Sequence, residues 1–213
     1  MELARAWFTS RVPITPPEIA GLLDSRDETR GALLEEGWPE LKTELPERGE
    51  GRNHDLVLIG SAGTRRLLVA VEGKVDETMG PPIGQYWRKS KRTSGSKAWK
   101  RIDTLLEAAF GTSASAEREQ WSSLPYQMLT ALAGTAIEAS KRKCDIAVLI
   151  VHEFKTESAK TDLLRKNAAE YAAFLRALGV QKPAAAQLYG PFPIKADGHD
   201  VPVLVGKVQY KWA

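Results

Sequence analysis

Residues 54–76, HDLVLIGSAGTRRLLVAVEGKVD, limit what this chain can fold into more than any other stretch. Leu56 to Ile59 and Leu67 to Val71 are apolar at every position, so both faces of each run must be covered. Short runs rich in Val, Ile and Leu read as central strands with helices on both sides. Gly63-Thr64 between them suits a two-residue type II′ turn, because Gly tolerates the positive φ of its first central position. That turn sets a register in which Leu56 opposes Val71 and Asp55 opposes Glu72. Opposed Cβ atoms lie about 4.5–5.5 Å apart, and two carboxylates that close repel unless a proton or cation intervenes. Lys74, two residues beyond Glu72, points to the same face, whereas Gly73 faces the other way. An oxygen-rich pair of this kind suits a hard cation such as Mg²⁺.

Asp55, followed by Glu72-Gly73-Lys74 at the end of an apolar strand, resembles the D…(D/E)xK signature of the PD-(D/E)xK phosphodiesterase superfamily. His54, not Pro, stands before the acid, a departure many members also show, and Gly73 stands where a small apolar residue is more usual. The resemblance implies an α/β fold with a restriction-endonuclease-like core. Its central mixed β-sheet is flanked by helices in α-β-β-β-α-β order, here with an extra N-terminal helix and C-terminal β-structure. It implies a divalent-metal-dependent nuclease, acting on DNA more than on RNA, in a prokaryotic defence role. Asp55, Glu72 and the carbonyl of Gly73 would hold Mg²⁺, for which Mn²⁺ would substitute. Lys74 would orient water or stabilise transition-state charge. The family's second core helix carries a Gln or Lys facing the metal in several members, and Gln127 stands in that helix here. An acidic residue on the family's first helix sometimes adds a ligand, which points to Glu35 or Glu36. Many nucleases of this fold dimerise to cut both strands, so the resemblance also allows a homodimer.

The chain has 213 residues, no internal repeat and no clean linker, and is read as one domain over 1–213. Hydrophobic and charged residues make up 43% and 27%, ordinary for a globular protein with its own core. A single cysteine, Cys144, excludes an internal disulfide and a cysteine zinc site, and fits a reducing cytoplasm. No signal-peptide core opens the chain, and no run approaches the ~20 apolar residues of a membrane span. Net charge is +3, so only the distribution of charge could point to a polyanion.

That distribution is uneven. Between Tyr86 and Arg101 stand Arg88, Lys89, Lys91, Arg92, Lys97, Lys100 and Arg101, with no acid and with Trp87 and Trp99 interleaved. Basic residues neutralise phosphates and aromatics stack on bases, so this reads as a substrate-binding loop or lid, flexible around Thr93-Ser94-Gly95-Ser96. The alternative is a solvated basic loop with one tryptophan in the core.

Elsewhere the periodicity sets the elements. Residues 1–14 suit a short helix or a strand, and Thr15-Pro16-Pro17-Glu18 reads as a capping box opening a short helix. A second helix is expected over 31–41, with Glu35 and Glu36 on its polar side, and another from Ser122 or Ser123 to Ala139. Asp145 to Phe154 reads as a strand ending at His152, a residue for which both a structural and an active-site role are open. Ser158 is expected to cap a helix running to Leu178. Residues 200–212 alternate like edge β-structure, with a bulge or turn near Gly206. Two readings compete with the nuclease. One is a non-catalytic module of the same fold that binds nucleic acid or protein. The other is a plain α/β domain in which Glu72, Lys74 and Asp76 form a surface ion ladder.

Overall fold

The central hairpin turns where the sequence places it. Strand β2 (Arg52–Ala62) and strand β3 (Arg65–Val75) pair antiparallel from Ala62↔Arg65 to Leu56↔Val71. Gly63 has φ 61°, the positive value its turn position needs. The computed structural model describes residues 2–7, 15–47, 49–155 and 160–211. Two short helices, α1 (Glu2–Trp7) and α2 (Pro17–Asp24), precede the first strand, β1 (Leu33–Thr43). After β3 come α3 (Ile83–Arg92), α4 (Ala98–Phe110), α5 (Glu119–Ser122) and α6 (Tyr126–Lys141). The chain then forms β4 (Ile146–Lys155), α7 (Thr161–Ala177), β5 (Leu188–Ala196) and β6 (His199–Lys211).

Among the described residues the six strands make one mixed sheet in the order β1-β2-β3-β4-β6-β5. β3, β4 and β6 run parallel, while β2 and β5 are antiparallel to their neighbours. Alternate residues of the buried strands feed two apolar clusters. Leu56, Leu58, Val69, Val71, Val148 and Ile150 pack under α2 and Trp7. Val57, Ile59, Ala70, Leu149, Val151 and Val203 pack under α4, α6 and α7. Burying such a side chain contributes about 1.5–3 kcal/mol, which is why strands apolar on both faces must lie inside. α6 is buried from Met128 to Ala139 because it is sandwiched between the sheet and α4.

Four sequence expectations are corrected. Residues 33–43 form a strand, not a helix. The spacing of Leu33, Leu34, Trp38 and Leu41 belongs to an edge strand with a bulge between Leu34 and Glu36 and a positive-φ Glu40. Pro39, with no N–H to donate, is tolerated on an edge, and Glu35, Glu36 and Glu40 are exposed along it. The basic stretch is not a loop but the helical pair α3–α4, joined through residues 93–97. β6 is not an edge strand but lies between β4 and β5, and its ladder with β4 runs unbroken through Gly206. Gly206 is there for closeness, since a Cβ would fall 2.7 Å from Leu188 and 2.9 Å from Leu22. Thr15 does not cap α2: the N-cap position is Pro16, with no side-chain bond. Ser158, the expected cap of α7, lies outside the described residues, as do 8–14 and Trp212.

Candidate functional site at the parting of β2 and β3

The β2–β3 ladder ends at Leu56↔Val71, one rung short of the expected Asp55–Glu72 pair. β2 changes face there. Leu56 belongs to the α2-side cluster, whereas Arg52 and His54 lie against Gly134 of α6. Asp55 sits at the change, and its Oδ2 accepts the Gly73 N–H at 2.7 Å. The two carboxylates therefore do not oppose each other as a bare pair. Asp55 takes a backbone amide, and Glu72 takes two cations.

Glu72 is buried on the α6 side, where Arg52 contacts Oε2 and Lys74 Nζ lies 2.9 Å from Oε1. Lys74 also donates to Gln127 Oε1 at 2.8 Å and lies 3.4 Å from Glu77 Oε1. Its side chain is 3% exposed, and burial pushes its pKa down while Glu77 pushes it back. Burial acts on Arg52 in the same direction. Gly80 makes room for Gln127: a Cβ there would stand 2.9 Å from Gln127 Cγ. His54, 1% exposed, is held neutral, its pKa pressed down to about 3 by burial and by Arg52.

The polar layer continues across the sheet on the same face. Lys74 is the register neighbour of Glu153, and Glu153 of Gln209. Glu153, 1% exposed, meets Lys207 Nζ at 3.0 Å, Gln209 Nε2 at 2.7 Å and Asn167 Nδ2 at 3.1 Å. Asn167 of α7 also donates to the carbonyl of Glu77, which follows β3. Sequence reading missed Arg52, Glu153, Lys207 and Asn167. A signal existed for two of them: Glu153 extends the buried stripe Ala147, Leu149, Val151, and Lys207 the stripe Val201, Val203, Val205. A charge that continues an apolar stripe is a buried charge in want of a partner.

Other expected site residues lie elsewhere. Glu35 and Glu36 are exposed on β1, and Glu36 pairs with Ile59, four residues along β2 from Asp55 and roughly 13 Å away at strand rise. Neither reaches the centre, because residues 33–43 are an edge strand rather than a helix packed over it. His152 is the register partner of Gly73, but its ring faces the α2 side. There Trp7 Nε1 donates to Nδ1 at 3.4 Å and Nε2 meets Glu18 at 3.0 Å, contacts that tie α1 and α2 to the sheet.

The basic residues divide. Arg88, Lys89, Lys91, Arg92, Lys97 and Lys100 are exposed on α3, α4 and their connection. Arg101 is 5% exposed and is not on that surface. It donates to the carbonyls of Pro46, Glu47 and Glu50 and so clamps the β1–β2 loop. The aromatics are also engaged: Trp87 donates to Asp103 at 2.9 Å, Tyr86 stacks on Tyr126, and Lys91 lies 3.9 Å from the Trp87 ring centroid.

Among the described residues no three His, Cys, Asp or Glu side chains converge as a ready metal site. Asp55 and Glu72 offer the oxygen chemistry a hard cation takes, but Asp55 lies on the Gly73 side of β3 while Glu72 faces α6, where Arg52 and Lys74 already meet it. No helix among the described residues is long and apolar enough to cross a membrane. No curated protein and no solved structure matches the chain. The family described as Domain of unknown function (DUF6946) matches residues 1–211, and the chain belongs to it.

Proposed function

We propose that this chain is a divalent-metal-dependent nuclease that hydrolyses phosphodiester bonds in nucleic acid, DNA in preference to RNA. The observation that carries the reading is Lys74 Nζ seated between Glu72 of its own strand and Gln127 of α6, beside the Gly73 amide held by Asp55. The order of elements supports it. α2, the meander β1–β2–β3, α6 and β4 follow the α-β-β-β-α-β succession of a restriction-endonuclease-like core, with β3 and β4 parallel neighbours. β5, β6 and the α3–α4 pair are additions to that core.

Asp55, Glu72 and the carbonyl of Gly73 would hold the cation. When bound it would lower the pKa of a water and polarise the scissile phosphate. Lys74 stands two residues beyond Glu72 on the same face, placed to orient that water or meet charge building on the phosphate. Gln127 fixes the Lys74 ammonium by accepting from it. The exposed cations of α3–α4 would hold the backbone of the substrate, with a salt dependence set by the number of phosphates neutralised.

Cleavage tests this directly. Wild type and Lys74→Ala are incubated with plasmid, linear duplex, single-stranded DNA and RNA, in Mg²⁺, Mn²⁺ or EDTA. Metal-dependent cutting that disappears in the variant is expected, with a loss of ~10²-fold or more. A second reading, a non-catalytic nucleic-acid-binding module, is favoured by one observation: Arg52 already neutralises Glu72. Binding to duplex without cutting under any metal would select it.

A further inference from the structure

Two helix starts are fastened side by side next to Lys74. The Ile83 N–H of α3 donates to the Leu124 carbonyl at 2.8 Å, and the Tyr126 N–H of α6 donates to the Pro81 carbonyl at 3.0 Å. This seam fixes what each helix presents near its start: Tyr86 from α3, Tyr126 and Gln127 from α6. The two tyrosine rings stack with centroids 4.5 Å apart and planes 18° from parallel, and both residues are half-buried. Gln127, the residue after Tyr126, accepts from Lys74 Nζ at 2.8 Å. The stack thus stands one residue from the centre.

The two rings are not equivalent. Tyr126 is the fixed layer. Burial and Tyr86 push its phenol pKa up, and Arg101 beside it pulls the other way. Arg101 is itself held on the carbonyls of Pro46, Glu47 and Glu50. Tyr86 has Tyr126 on one side and cations along its own helix. Lys89, three residues on, is its neighbour on the helix surface, with Cβ atoms about 5–6 Å apart. Lys89 and Arg92 are exposed, and no acid stands between Tyr86 and Arg101. A nucleotide presents the complementary pair, a flat base and a phosphate. A base inside a duplex is already stacked on both faces, so a protein ring takes one only from a single strand or a frayed end.

We propose that the Tyr86–Tyr126 stack is a base-binding step, with Lys89 on the adjoining phosphate, and that the strand led to this centre is single-stranded DNA. The proposal rests on the nucleic-acid substrate proposed above and needs no bound cation. Tyr86 adds the base to a stack already begun by Tyr126, and α3 carries the strand away along its exposed cations.

The test is fluorescence anisotropy of the full chain in EDTA at low salt, with labelled DNA about 12 nucleotides long. Three probes are used: a single strand, its duplex, and a strand in which every sugar lacks its base. Wild type should bind the single strand more tightly than the duplex, and ~5-fold to ~100-fold more tightly than the baseless strand, the range that stacking of one base gives. Tyr86→Leu keeps apolar bulk without a π face. It should lose the preference for bases while binding the baseless strand as wild type does, and Tyr86→Trp should retain the preference. Lys89→Gln should weaken the single strand and the baseless strand alike. Equal wild-type affinity for strands with and without bases, or tighter binding of the duplex, overturns the base-binding step even if Tyr86→Leu does not fold, and leaves nucleic-acid binding standing. A preference for bases that survives in Tyr86→Leu also overturns it. Absence of binding to all three probes overturns both this step and the nucleic-acid substrate.

Discussion

Gly134 shows how tightly one residue can be constrained. It sits in a helix interior, where Gly costs roughly 1 kcal/mol against Ala by propensity. A methyl there would stand 2.9 Å from His54 Nε2 and 3.2 Å from Arg52 Cγ, both held in a packed interior. Gly134→Ala should therefore destabilise the protein by about 1–3 kcal/mol, as overpacking does, instead of stabilising it. Urea unfolding measures this, and a gain in stability would show that His54 and Arg52 can give way. Glu28 makes a prediction about pH. Arg26 binds it through Nε at 3.1 Å and NH2 at 2.8 Å, and this holds its carboxyl at about 2, below its ordinary value of 4.5. The folded pKa is depressed, so the contribution to stability is present above pH 4.5 and is lost as pH falls toward 2. Glu28→Gln should be less stable than wild type at neutral pH, with the difference in melting temperature shrinking through that window.

Among the elements, the α3–α4 pair separates two roles that composition had merged. Arg101→Ala removes three charge-assisted bonds to carbonyls and should cost at least about 2 kcal/mol, with faster amide exchange over residues 46–50. Changing Arg88, Lys89, Arg92 and Lys97 together to Gln should shift stability little. It should reduce the slope of log affinity against log salt for a DNA duplex by up to about one for each phosphate no longer neutralised. An unchanged slope would make α3–α4 a solvated surface. The elements most legible in the sequence were those whose own residues decide them. Gly63-Thr64 fixed a register that the apolar runs could satisfy, and α6, β4 and α7 followed their stripes. β1 was misread because an edge strand with a bulge and a proline has no period of two to detect. The basic stretch was misread because its helices are held by Trp87, Ile83 and Ile102 docking on the core, not by local propensity. In the site, Lys74 meeting Glu72 and Gln127 was foreseeable from parity and helix placement. Arg52 was not, because its approach depends on β2 changing face at Asp55.

For the whole molecule, the telling feature is a row of charges that crosses the sheet under α6 and α7: Arg52, Glu72, Lys74, Glu153 and Lys207, alternating in sign. Taking Glu153 away leaves Lys207 buried without its counter-charge, so Glu153→Leu should cost about 3–5 kcal/mol. Replacing both partners, Glu153→Leu with Lys207→Met, should recover much of that loss, since two apolar side chains leave no charge to compensate. A denaturation cycle over the four proteins measures the coupling, and additive losses would show that the pair is independent. The row spans strands distant in sequence, so it sets the relative placement of β2, β3, β4 and β6 as one unit.

The position of β6 also governs the order of events during synthesis. β4 finds one neighbour, β3, already made, but its other neighbour begins only at His199. From the time β4 is complete until residue 211 is added, roughly 3–11 s at ~5–20 residues per second, one side of a deeply apolar strand lacks its hydrogen-bonding partner. An open edge of that kind recruits other nascent chains on a crowded polysome. The folding yield of this protein is thus expected to depend on translation speed across residues 156–211, and slowing the ribosome there should lower it.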